Sequence, residues 1–384
     1  MTIQTDLGAV MTSVNQAKGL PNEHYIDPDV FDEEKRAVLF ANWAGVGFGK
    51  DIPNPGDAKP VDFLGMPILL VRDQDGSVGV FQNTCRHRGM ILIDAPTNVR
   101  GTIRCPYHSW CYGLNGALRA TPHVGGPGNN IHDDIKRDEL GLLRIRSYVW
   151  NDTIFANLDG KAEEFEVVHA DLLARWAEFD RPFHHGGTTS SFKLEVKTNW
   201  KLAVENYCES YHLPWVHPGL NTYSRLEDHY HIEKQGAYSG QGTLVYRQLR
   251  GDGDQVFPDF ADLSAQWDEG AEYVSVYPNV LMGVHRDHFF SIVLEPVDCT
   301  NTVEHIELYY AAQPDAADGL DALRDKNAAQ WKEVFAEDIF VVEGMQKGRN
   351  GFLFDGGKFS PAMDSPTHNF HHWVASQIDK ARAP

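Results

Sequence analysis

Cys85-Arg86-His87-Arg88-Gly89 and Cys105-Pro106-Tyr107-His108-Ser109-Trp110 decide how this chain is read: Cys85-x-His87, seventeen residues, then Cys105-x-x-His108. Each loop offers one soft thiolate and one imidazole. Two Cys and two His also satisfy a tetrahedral structural zinc site, but zinc fingers pair Cys with Cys and His with His along the chain. A [2Fe–2S] centre in which two thiolates hold one iron and two neutral histidines the other takes these four ligands in this arrangement. The histidines raise its reduction potential above that of an all-cysteine cluster. The flanks agree: Gly89 and Pro106 suit tight turns that aim N–H groups at bridging sulfurs, and the hydroxyls of Tyr107 and Ser109 are donors that tune potential. Such a chain handles electrons one at a time.

A length of 384 residues suggests two domains, and 42% hydrophobic with 23% charged residues is ordinary for a soluble globular chain. The formal charge of −20 argues against nucleic acid, whose phosphates need clustered Lys and Arg. An acidic surface suits a basic redox partner instead. Beyond Cys85 and Cys105, the cysteines Cys111, Cys208 and Cys299 are left, an odd number that makes no disulfide framework and fits a reducing compartment. Met1 to Lys18 lacks a basic start and an apolar segment, and no run approaches the ~18 apolar residues of a membrane span. A cytoplasmic location is expected.

Between Trp43 and Leu158 short β-rich runs (PILLVRD, GSVGVFQN, GTIRCPYHSWCYGLNG, LLRIRSYVWNDTIFANL) alternate with turns, predicting a small all-β domain over 43–160 that carries both ligand loops. Residues 1–42 and 161–384 form the rest. Asp29 to Ala41 reads as a helix, and from Phe192 strand signals (SFKLEVK, YVSVYPNVLMGV, HFFSIVLEPV, VEHIELYYAA) mix with helices, as in an α+β domain on an antiparallel sheet.

A second constellation lies in Glu205-Asn-Tyr-Cys-Glu209-Ser-Tyr-His212-Leu-Pro214-Trp-Val-His217. A helix running to Leu213 puts Glu205, Glu209 and His212 on one face, and Pro214 should end it so that His217 swings back toward His212. Two histidines and a carboxylate with open positions form the facial triad of non-haem Fe(II) oxygenases. The carboxylate is sought in Leu320 to Gln346, which reads as one long amphipathic helix. There Asp338 lies four residues from both Val334 and Val342 and so points into the apolar stripe, where a lone carboxylate needs a partner or a metal. Its neighbour Glu337 faces a more polar side. Taken alone, His212 and His217 also read as core histidines in a chain with 18 of them.

On these motifs the chain resembles the α subunit of a Rieske non-haem iron oxygenase, the aromatic-ring-hydroxylating dioxygenase family, over nearly its whole length. The resemblance implies a Rieske domain inserted in a helix-grip catalytic domain, a [2Fe–2S] cluster and a mononuclear Fe(II). It also implies electrons supplied from NAD(P)H by a separate flavin or iron-sulfur reductase, and a homotrimer. The family's ligand aspartate sits eight residues before a glutamine, here Gln346. An acidic residue three before the first histidine ligand, here Glu209, accepts a hydrogen bond from a neighbouring subunit's cluster histidine, His87 or His108. Here the acid is Glu rather than the Asp of many ring dioxygenases, and the spacing from Asn206 is one residue shorter.

The segment ENYCESYHLPWVHPGLN looks closer to the branch that oxidises quaternary ammonium compounds (choline, betaines, carnitine), which implies O₂-dependent hydroxylation or N-demethylation. Tyr223, Tyr230, Tyr273, Phe289 and Phe290 are aromatics available to hold such a cation. An aromatic acid ring hydroxylase or O-demethylase on the same scaffold is the alternative, and a Rieske electron-transfer protein without oxygenase activity is a second. Gly45-Val-Gly47-Phe-Gly49 is rejected as a dinucleotide fingerprint for want of a βαβ unit, and His285, His288, His368, His371 and His372 read as packing residues.

Overall fold

The short β-rich runs become strands of four sheets in a computed structural model that describes residues 5–233, 236–311 and 319–383. Ala312, the last residue of the predicted VEHIELYYAA strand, lies outside these residues. The chain separates into two units, Gly45–Lys161 and the described residues before and after it.

The Gly45–Lys161 unit is all β apart from short turns. Asp57–Phe63, Met66–Arg72 and Val78–Gln82 form a meander extended by Thr97–Asn98, and Thr102–Arg104, Cys111–Gly113 and Leu118–Ala120 form a second small sheet. Leu69, Val71, Phe81, Ile103, Trp110 and Tyr112 fill the core between them, and Cys85 and Cys105 belong to the same buried cluster. Burial of apolar surface thus fixes the two ligand loops.

The second unit is built on an eight-stranded antiparallel sheet, in the order Phe183–His185, Asn301–Ala311, His288–Asp298, Val280–Val284, Ala271–Val276, Tyr238–Thr243, His229–Glu233, with Ser191–Val196 also paired to Asn301–Ala311. The unit is α+β: helix Trp200–Tyr207 packs on strands Ala271–Val276 and His288–Asp298, and helix Ser365–Arg382 on Tyr238–Thr243 and the edge strand His229–Glu233. Near the amino end, Asp27 caps helix Pro28–Glu34 by accepting the N–H groups of Asp29 and Val30, with Pro28 in its first turn. The predicted helix over 29–41 then widens into a π-helical stretch, Lys35–Phe40.

Two helix predictions need correction. The predicted helix through Leu213 ends at Tyr207, and Pro214 sits in the first turn of a new short helix, Leu213–Val216, where its missing N–H costs nothing. The predicted helix Leu320–Gln346 breaks at Asp338 into Asp321–Glu337 and Ile339–Gly348. Among the described residues no helix is long and apolar enough to cross a membrane.

Candidate metal centres

The two cysteine loops share one backbone design. Cys85 N–H donates to Met90 O and Cys85 O accepts Gly89 N–H; Cys105 N–H donates to Trp110 O and Cys105 O accepts Ser109 N–H. The fourth residue after each cysteine is left-handed, Gly89 at φ 73° and Ser109 at φ 58°, so the first loop uses glycine and the second a less comfortable serine. His87 and His108 lie 4.7 Å apart between ring centroids, and His87 stacks on Trp110 at 4.9 Å. Nδ1 of His108 is buried with no hydrogen-bond partner, as expected of a nitrogen aimed at a metal. Burial first, and then the neighbouring His108 and Arg88, hold His87 below its ordinary pKa; burial pushes the Cys105 thiol up. Tyr112, which the sequence did not single out, accepts Arg86 N–H at 3.0 Å, so its O–H is directed at Cys85 Sγ, 3.2 Å away.

In the other unit the short helix Leu213–Val216 places His212 and His217 at its two ends, with ring centroids 5.2 Å apart. The Nδ1 of His212 donates to Glu209 Oε1 at 2.7 Å, and that of His217 to Glu337 Oε2 at 2.7 Å. Both Nε2 atoms therefore turn toward Asp338 Oδ1, at 3.7 and 3.1 Å. The three residues offer ligand atoms within 4.8 Å of one another, and Asp338 Oδ1 has no hydrogen-bond partner. Two nitrogens whose outer N–H is already held by a carboxylate, facing an orphaned carboxylate oxygen, fit a divalent iron with open positions. Burial would lower the His217 pKa, but Asp338 and Glu337 outweigh it and raise the value. Glu209 also accepts the backbone N–H groups of Tyr211 and His212 through Oε2, so the carboxylate fixes the loop as well as the ring. The helix break allows this: the chain turns between Glu337, which reaches His217, and Asp338, which faces the triad.

Glu205 does not join the site. With the first helix ending early, it is buried beside Tyr25, His371 and Arg349, and His371 packs there as expected. Gln346 is structural, accepting Asn199 N–H and donating to Tyr25 O.

The triad opens on a cavity walled by Tyr207, Tyr273, Phe290, Trp331 and Phe335. Cross-strand register builds this wall. Phe290 pairs with Gly283, Gly283 with Tyr273, and Tyr273 with Gln241, so their side chains share one face of the sheet. Phe289 pairs with Val284, Val284 with Glu272, and through Gly242 with Tyr230 on the other face. Of the five aromatics expected near the site, Tyr230 and Phe289 are thereby excluded. Tyr273 and Phe290 line the cavity, and Tyr223 lines an adjoining one. Trp331 lies in the stretch Leu320 to Gln346, which in sequence reads only as an amphipathic helix. His229 closes the floor: Gln241 donates to Glu209 O and so presents Oε1 to His229 Nδ1–H at 2.7 Å, and burial holds His229 below its ordinary pKa. Behind Asp338, the Glu304 carboxyl is pushed up to about 8, first by burial and then by the charge of Asp338.

An all-β unit with a thiolate–imidazole pocket and an α+β unit with a two-histidine, one-carboxylate cluster define a Rieske non-haem iron oxygenase. The Rieske [2Fe-2S] domain family matches residues 42–136, and the ring hydroxylating alpha subunit (catalytic domain) family matches residues 183–380. The chain belongs to the ring-hydroxylating α-subunit family. It is an oxygenase that carries a [2Fe–2S] cluster and a mononuclear iron and draws its electrons from a reductase; the electron-carrier alternative, with a single metal centre, does not fit. The carnitine monooxygenase oxygenase subunit of Escherichia coli is 27% identical over 341 residues, 87% of this chain and 84% of the relative. The chloroplastic choline monooxygenase of Atriplex hortensis is 26% identical over 366 residues, 92% and 76% of the two chains. The solved structure of a quaternary ammonium Rieske monooxygenase superposes with a TM-score of 0.77 at 20% identity, covering 98% of this chain and 100% of that one. That likeness shows the fold.

Proposed function

We propose that this chain is the oxygenase component of a monooxygenase that hydroxylates, and thereby N-demethylates, a small quaternary ammonium compound. The observation that carries the reading is the cavity wall. Tyr207, Tyr273, Phe290 and Trp331 line the cavity beside the triad, and Asp338 is the one acidic side chain among the lining residues. A quaternary ammonium has no N–H to donate, so ring faces are its natural partners.

In this reading His212 and His217, through Nε2, and Asp338 hold the iron, while Cys85, Cys105, His87 and His108 hold the cluster. When bound, the two metal centres supply stepwise electron delivery and oxygen activation. Glu209 and Glu337 keep the two imidazoles in the ligating tautomer, and Tyr112 stabilises negative charge on Cys85. The ring walls exclude water and hold the substrate's methyl groups near the triad. The balance is one O₂, two electrons and two protons: one oxygen enters a C–H bond of an N-methyl group and the other leaves as water; the hydroxylated carbon then departs as an aldehyde, its O–H proton passing to solvent as the C–N electron pair returns to nitrogen.

Electrons come from NAD(P)H through a separate flavin or iron-sulfur reductase. The assembly is a homotrimer in which Glu209 of one copy accepts a hydrogen bond from His87 or His108 of the next, joining a cluster to the His212 side of a neighbouring iron; a ring of such contacts closes. Beyond the two cluster ligands, Cys111, Cys208 and Cys299 are buried and form no disulfide, which suits the reducing cytoplasm. The test is anaerobic binding of betaines, choline, carnitine and aromatic acids, followed by product analysis with oxygen and a reductase. The reading expects a demethylated amine and an aldehyde from a trimethylammonium compound. Turnover of aromatic acids alone would contradict it.

A further inference from the structure

A second cavity continues from the first, sharing Leu220, Ser224, Tyr273, Trp331 and Val334 with it. Its far wall adds polar groups to the apolar lining: Arg247, which is exposed to solvent, Tyr223, Asn327 and Gln330 stand there beside Val245, Tyr246 and Leu249. Arg175, Arg286, Arg324 and Arg382 of this unit each hold a carboxylate. Among the described residues Arg247 holds none, although the chain carries a formal charge of −20; its guanidinium stands 5.9 Å from the centre of the Tyr223 ring. Asn327 is 3% exposed, and its Oδ1 accepts Tyr310 O–H at 3.1 Å, which leaves its amide N–H groups as uncommitted donors beside the cavity. The other polar groups there are spoken for. Tyr246 O–H donates to Asp287, and His288 is held between Asp287 and the Trp331 N–H. A positive, donor-bearing pocket therefore adjoins an aromatic pocket beside the triad.

We infer that the substrate carries a carboxylate as well as the methylated nitrogen, and that Arg247 with the Asn327 amide binds the carboxylate while the ammonium lies against Tyr273, Phe290 and Trp331. This rests on the quaternary ammonium reading above and narrows it to trimethylammonium carboxylates, excluding alcohols such as choline. A guanidinium offers paired N–H donors that match a carboxylate, and the tie to Tyr223 orients it. In a chain this acidic, one unpaired cation beside the pocket also selects for an anionic end.

The experiment compares γ-butyrobetaine with choline on the purified, metal-loaded protein, measuring Kd by anaerobic calorimetry and KM with reductase, for wild type, Arg247→Gln and Arg247→Lys. Wild type is expected to bind γ-butyrobetaine well and choline weakly. Arg247→Gln should raise Kd and KM for the carboxylate about tenfold to hundredfold, the scale of a charge-assisted hydrogen bond, with the loss in KM rather than kcat. Arg247→Lys should restore part of it, and choline binding should move less than twofold. Equal binding of choline and γ-butyrobetaine by wild type, or an unchanged KM in Arg247→Gln, overturns the inference. If no trimethylammonium compound binds but an aryl carboxylate does, and Arg247→Gln weakens it, the quaternary ammonium reading falls while the role of Arg247 stands.

Discussion

Asp338 was legible because four-residue spacing places it among Val334 and Val342, where a carboxylate without a partner has no physical reason to be. Glu337 was not, because its partner, His217, lies 120 positions away in sequence and only the helix break brings the two together. The same holds for Tyr112, whose hydroxyl matters only once the strand Cys111–Gly113 sets it beneath Cys85. Each has a measurable consequence. Glu337→Gln should weaken iron binding about 10–100-fold in competition with a chelator, since the outer nitrogen of His217 loses its carboxylate; unchanged affinity would remove the orienting role. Tyr112→Phe removes a donor to a cluster thiolate, so the reduction potential of the cluster should fall in a redox titration followed by electron paramagnetic resonance. A potential that stays put or rises would show that this hydroxyl does not touch the electron density on sulfur.

Among elements, strands were the most readable, because short runs rich in β-branched and aromatic residues and bounded by turns mark Met66–Arg72, Ala271–Val276 and His288–Asp298. Which face met the site was not readable, since Phe289 and Phe290 are equally apolar and only register separates them. Helix ends were lost for a different reason. The stretch from Cys208 to His217 has enough helix-compatible residues to look continuous, yet Glu209 draws the N–H groups of Tyr211 and His212 to its own carboxylate and stops the helix. Gly283 shows how tightly the sheet is cut for the cavity: a Cβ there would stand 2.4 Å from Phe290 Cζ and 3.0 Å from Tyr273 Cδ1. Gly283→Ala must displace the Phe290 ring toward the cavity. It should raise KM for the substrate and cost about 1–3 kcal/mol of stability, read by steady-state kinetics and thermal unfolding; an unchanged KM would mean that this wall does not touch the substrate.

For the molecule as a whole, residues on both sides of the inserted β unit in sequence close one domain through buried charges. Lys201 Nζ meets Glu34 Oε2 at 2.6 Å with both side chains fully enclosed, His24 holds the other oxygen at 2.6 Å, and Tyr25 donates to Glu205 beside His371 and Arg349. Burial alone would raise Glu34, but Lys201 and His24 hold it below the usual carboxylate range; Glu205 is likewise held down against burial by His371 and Arg349. A depressed folded pKa contributes stability that is present above the unfolded value of about 4.5 and lost as pH falls through the folded one, so acid unfolding should set in below about pH 4.5. Lys201→Met leaves Glu34 under-compensated. It should cost about 3–5 kcal/mol at neutral pH and move the acid limb to higher pH; an identical unfolding curve would show the pair to be neutral. The larger claim is that one chain houses an electron relay and a separate iron site held by His212, His217 and Asp338. The most direct measurement is the iron content and reduced-state paramagnetic spectrum of Asp338→Ala beside wild type. About three iron atoms per chain should fall to about two while the histidine-ligated cluster signal persists. Full iron retained in the variant, or a cluster signal lost with it, contradicts the account.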